Sequence, residues 1–162
     1  MATWRRTMGQ LADFYAGDPS VIGQAFSTQE FEVLSDRSRI PLHVDFSLQL
    51  SPLGFDSLTE SVRAVVGAGP ASFTEALDAR VGGDGDECSA GTVSTAWVEM
   101  LAAVPDGAME TLLASWVGRL RDEYGDSSIT VTEDMQIAVH ALVALCRDAV
   151  RRNLSVVHTW SL

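Results

Sequence analysis

The chain has 162 residues, 46% of them hydrophobic and 20% charged, which fits one globular domain and excludes a disordered polymer. Its eleven basic residues are all arginines, set against 22 Asp and Glu for a net charge of −11. Without lysine there is no Walker-type phosphate loop, no Schiff base and no lysine general base, and the negative excess repels phosphate backbones, which argues against nucleic-acid binding.

A domain of this size buries roughly 68–70% of the surface its unfolded chain exposes, enough for a core without a metal or a disulfide. Cys88 and Cys146 have no CxxC or Cys/His spacing around them and read as reduced thiols of a cytoplasmic protein. The Arg5-Arg6 pair is followed by Asp13 and Tyr15 rather than an apolar run, so an export signal is not expected. The apolar stretch from Ile137 to Cys146 contains His140 and falls short of the ~20 residues that span a bilayer. No membrane segment and no cofactor are expected.

The first forty residues read as short helices, with Trp4, Met8, Leu11 and Tyr15 at helical spacing. Next, Leu42, Val44, Phe46, Leu48 and Leu50 alternate with His43, Asp45, Ser47 and Gln49, the pattern of a half-buried strand over 42–50 that starts after Pro41. Ser57 and Glu60 have capping-box spacing, which predicts a helix start there, with Leu58, Val62, Val65 and Val66 on its apolar face.

That helix runs into Gly67-Ala68-Gly69-Pro70-Ala71-Ser72, whose spacing resembles a dinucleotide-binding loop. Such a loop needs a strand before the first glycine, a third glycine for close helix packing and an acidic residue closing a second strand. Here Ser72 replaces the third glycine and a helix precedes the first. The glycines are therefore read as a helix stop, with Ser72 and Glu75 capping the next helix.

Residues 82–91 form a glycine-rich acidic stretch, expected to be a flexible connection. Asp84, Asp86 and Glu87 invite a calcium reading, but an EF-hand counted from Asp84 needs Gly and Glu where Ser89 and Thr95 stand. No metal is assigned, and these three acids are the first candidates for contact with a partner.

Ser94 predicts the cap of a helix, Pro105-Asp106-Gly107 a turn, and Met109, Leu112, Leu113, Trp116, Val117 and Leu120 the face of another, together a helical hairpin. Trp97 and Trp116 read as core, while Trp4, near a chain end, hints at docking. Residues 128–132 predict a short strand. Thr132, with Glu133 and Asp134 behind it, starts the longest helix, over 133–152, apolar nearly all round except for Gln136, His140, Arg147 and Arg151. The two arginines are expected in internal salt bridges. A closing strand over 154–162 places His158 on its apolar parity, as a hydrogen-bonded structural histidine.

The expectation is a single α+β domain over residues 1–162, mostly helical, with a small sheet of two or three strands (42–50, 154–162, and 128–132 as the third) covered by helices, the first two paired in its middle. Its charge points to a non-catalytic module that engages a basic protein partner, as an immunity or inhibitor protein masks a cationic cleft. The alternative is a small enzyme, metal-assisted or acid/base, in which His43 and Asp45, two apart on one strand face, supply the chemistry.

Overall fold

A computed structural model describes residues 11–46, 52–83 and 88–161. Among these, the chain order is β1 (Leu11–Gly17), α1 (Pro19–Thr28), a 3-10 turn (Phe31–Ser35), β2 (Leu42–Asp45), α2 (Pro52–Val66), α3 (Phe73–Ala76), β3 (Leu77–Gly82), β4 (Cys88–Val93), α4 (Thr95–Ala102), a second 3-10 turn (Asp106–Ala108), α5 (Met109–Tyr124), α6 (Glu133–Arg152) and β5 (Ser155–Ser161). The domain is α+β, as expected, but its sheet has five antiparallel strands in the order β2-β1-β5-β4-β3 rather than two or three.

The strands containing residues 42–45 and 155–161 therefore do not pair with each other, because β1 lies between them. Phe14 and Ala16 are fully buried on one side of β1 and Tyr15 is buried on the other, so this strand lacks the apolar/polar alternation of a half-exposed one. A strand covered on both faces reads as an apolar run, and its Leu11 and Tyr15 mimic helical spacing.

One face of the sheet carries the larger core. Phe14, Phe46, Phe55, Phe73 and Trp97 interlock there beneath α2 to α6, with Trp97 stacked on Phe14 (centroids 5.7 Å apart, planes 9° apart) and the other rings tilted or edge-on. Both buried indoles find acceptors: Trp97 Nε1 donates to Thr59 Oγ1 at 3.1 Å and Trp116 Nε1 to the Gly54 carbonyl at 3.0 Å. The other face has a smaller core of Tyr15, Ile22, Ala25, Phe26, Leu34, Ile40, Cys88, Ala90 and Val157, closed by α1 and the first 3-10 turn.

β3 and β4 make a hairpin where a flexible glycine-rich connection was expected. Gly82, one of the glycines that weaken the strand signal, serves the packing of α1: a Cβ on Gly82 would stand 1.9 Å from the Gly23 carbonyl oxygen, and one on Gly23 would stand 2.1 Å from that of Val81. Register shifts on either side of Ala79 and Arg80 break the period further.

Residues 128–132 form no strand. Asp126 Oδ1 accepts from the Ser128 amide (2.9 Å) and hydroxyl (2.6 Å), and Arg121 Nε donates to the Ile129 carbonyl at 2.6 Å, so side chains satisfy backbone groups that a ladder would otherwise claim. Ile129 and Val131 still pack against the core.

α2 begins at Pro52, a residue suited to a first turn, and not at Ser57. Ser57, Thr59 and Ser61 are buried inside it: Ser61 and Thr59 donate back to the carbonyls of Ser57 (2.9 Å) and Phe55 (2.8 Å), and Ser57 donates to Glu123 of α5 at 2.7 Å. Glu60, the expected capping-box partner, instead meets Arg119 of α5 at 2.7 Å. α5 thus packs on α2 and α4 on α6, so the expected α4–α5 hairpin does not close on itself.

α2 ends at the glycines as expected, with φ of 88° at Gly67 and 127° at Gly69 and no strand entering them. Ser72 caps α3 by accepting from the Glu75 amide, and Asp56 reaches across from α2 to accept from the amides of Phe73 (2.8 Å) and Thr74 (3.3 Å). Asp56→Ala is expected to lower the unfolding free energy by about 1–2 kcal/mol, read as a fall in the urea midpoint at unchanged slope, because it orphans α3's first donors.

α6 starts at its Thr132 cap and ends at Asn153 in a left-handed conformation. It is less enclosed than its composition implies: Ile137 is 59% exposed and Val150 47%, and His140 lies on the same open side as Gln136. Arg147 is spent on structure, bonding the carbonyls of Ala102 and Val104 and the carboxylate of Asp106, while Arg151 pairs with Asp148. Among the described residues no helix is long and apolar enough to cross a membrane.

Candidate protein-binding edge

β2 is an outer strand of the sheet, and its alternation turns His43 and Asp45 away from the larger core while Val44 faces inward. Both candidate residues thus share one strand face, as their spacing implies. The partner that His43 finds is not Asp45 but Asp13 of β1, whose Oδ1 lies 3.5 Å from His43 Nε2. Tyr15 lies directly opposite His43 in the ladder and stacks its ring on the imidazole, with centroids 4.5 Å apart and planes 12° apart. Burial, then the negative charge of Asp13 and a hydrogen bond to it, push the Tyr15 hydroxyl far above its ordinary range and keep it protonated.

Asp13 also faces Asp45 directly across the β1–β2 ladder. The two stand on the outer face of the sheet, beyond the strands that α1 covers, and Asp13 is held there by His43 and Tyr15. Asp13 and Tyr15 could not be placed from sequence spacing, because their relation to His43 exists only once 11–17 is a strand paired in this register.

Beyond β2, the first half of α6 runs alongside and leaves a groove of about 430 Å³. It is lined by His43, Val44 and Asp45 from the strand and by Asp134, Ile137, Ala138 and Ala141 from the helix. Its floor is apolar and its charged members are carboxylates, with no arginine among the lining residues. Asp134, read from the sequence as a favourable charge on the helix dipole, thereby acquires a second position of interest.

Chemically, Asp13 and His43 form a carboxylate–imidazole pair, but no Ser, Thr or Cys lines the groove with them. Among the described residues no group of three or more His, Cys, Asp or Glu side chains converges to hold a metal ion. Asp84, Asp86 and Glu87 lie outside the described residues, as does Trp4.

The third histidine is structural in a manner the sequence did not disclose. His158 is 8% exposed, wedged among Phe14, Phe55 and Phe73 with centroids 5.0 to 5.3 Å away, and its buried Nε2 has no hydrogen-bond partner. Burial pushes its pKa down to about 4, so the ring is neutral at pH 7. Cys88 and Cys146 are both buried and in no disulfide, and desolvation pushes the Cys146 thiol well above its usual range, which makes it unreactive. No protein-family model, no curated protein and no solved structure matches this chain.

Proposed function

We propose that this chain is a non-catalytic binding module that presents the acidic β2 edge to a basic protein partner, in the manner of an immunity or inhibitor protein that masks a cationic surface. The observation that carries this reading is the clustering of Asp13, Asp45 and Asp134 around one exposed strand and its groove. Asp13 and Asp45 oppose each other across the ladder, so a cationic partner meets two carboxylates on one face of the sheet. The net charge of −11 extends the attraction over the molecule and speeds encounter with a basic surface.

Immobilised protein is expected to retain basic proteins from an extract of its own source at about 50 mM salt and to release them by about 500 mM, where the screening length falls to about 4 Å. The triple variant Asp13→Asn, Asp45→Asn, Asp134→Asn is expected to retain them less. Retention indifferent to salt, or an absence of basic proteins from the retained fraction at low salt, contradicts the reading.

A further inference from the structure

We infer that the groove between β2 and α6 receives an extended segment of the partner as a sixth antiparallel strand, one that carries an apolar side chain flanked by basic ones. This rests on the basic-partner reading and specifies how the partner is held. The register supplies the backbone half of the argument. The Phe46 amide donates to the Ala12 carbonyl at 2.8 Å, so Phe46 and Ala12 form a hydrogen-bonded pair of the antiparallel ladder, and by alternation so do Val44 with Phe14 and Leu42 with Ala16. His43 sits at a non-bonded position, which turns its N–H and C=O outward toward the groove. An incoming strand about 4.8 Å away meets this donor and acceptor together.

The side chains supply the selectivity. Residues directly opposite in an antiparallel pair point to the same face of the sheet. A residue set opposite Val44 therefore points toward α6, where Ile137, Ala138 and Ala141 offer an apolar seat, with Ile137 59% exposed. Its neighbours, set opposite His43 and Asp45, point to the outer face, where Asp45 and the His43 imidazole with its partner Asp13 stand. Basic–apolar–basic is the pattern this edge complements in charge and shape, by the mechanism of strand addition.

The test uses the peptide acetyl-Arg-Val-Arg-Val-Arg-amide, with acetyl-Glu-Val-Glu-Val-Glu-amide as its charge-reversed control, on the full chain labelled with nitrogen-15. The arginine peptide is expected to bind, to shift the His43 amide resonance and to slow its exchange with solvent; the glutamate peptide is expected not to. His43→Pro removes an outward donor and no ladder bond to β1, and is expected to weaken the arginine peptide about tenfold or more. Ile137→Ser, at a position already exposed to solvent, is expected to weaken it about fivefold and covers the case in which the proline variant misfolds. Equal binding by both variants overturns strand addition while leaving the basic-partner reading intact. Failure of the peptide to bind, with salt-sensitive retention of basic proteins preserved, does the same. If both the peptide and the retention experiment fail, both readings fall.

Discussion

Gly23→Ala is expected to cost about 2–3 kcal/mol of unfolding free energy, although alanine is the better helix former by about 1 kcal/mol. α1 crosses β3 with backbone against backbone, and the new methyl would lie 2.1 Å from the Val81 carbonyl oxygen. Neither side of that contact is a flexible side chain that can swing aside, so α1 must lift away from the sheet. Ile22, Ala25 and Phe26 then lose part of their burial on the smaller core. Gly82→Ala attacks the same contact from the strand side and is expected to cost a similar amount, with the double variant well short of the sum because one displacement relieves both clashes. Gly118→Ala on α5 is the control: an added methyl meets nothing within 4 Å, and propensity alone predicts a gain of up to about 1 kcal/mol. Urea denaturation of the three single variants checks the set. A Gly23→Ala protein as stable as the parent would mean that α1 does not approach β3 this closely.

His158 gives the second large effect, as a dependence on pH. In the unfolded chain the imidazole takes up a proton near its ordinary value of 6.5, whereas in the folded protein burial holds it neutral down to about 4. Between those values the unfolded chain binds a proton that the native state refuses, so stability falls as pH falls, by at most about 1.4 kcal/mol per pH unit and about 3 kcal/mol in all. Above 6.5 the contribution is level, and below 4 it no longer grows. His158→Phe places a non-titrating ring among Phe14, Phe55 and Phe73 and removes a buried nitrogen that has no partner. The variant is expected to match or exceed the parent in stability at pH 7 and to lose markedly less of it by pH 4.5. Carboxylates protonate in both proteins, so the informative quantity is the difference between the two stability curves. Parallel curves would show that His158 does not titrate between folded and unfolded states.

The elements legible in the sequence are those whose local chemistry agrees with their tertiary setting. α6 is announced by Thr132 and its two following acids and is stopped by Asn153, and β2 by clean alternation after Pro41. The missed elements are those in which packing overrides local pattern. β1 buries Phe14 and Ala16 on one face and Tyr15 on the other, and nothing in Phe14-Tyr15-Ala16 alone separates that from a helical stretch. β3 spends Gly82 on the approach of α1, and the glycine-rich β3–β4 hairpin so resembles a mobile linker. Ser57 looks like a cap because hydroxyls commonly are, yet it lies buried against Glu123 on a partner helix that sequence spacing cannot supply. The candidate site divides the same way. His43 and Asp45 were visible as neighbours on one strand, whereas Asp13, Tyr15 and Asp134 join them only through strand pairing and helix placement.

Among the described residues the sheet ends in β2 and β3, and an outer strand that nothing guards can zip onto an identical molecule. At the β3 border that hazard is blunted by register shifts and by exposed Asp78 and Arg80. The β2 border stays straighter and is guarded by charge: a second copy arriving there brings its own Asp13, Asp45 and Asp134, so anion confronts anion. The acidity proposed to receive a cationic partner would then also oppose pairing with an identical copy at this border.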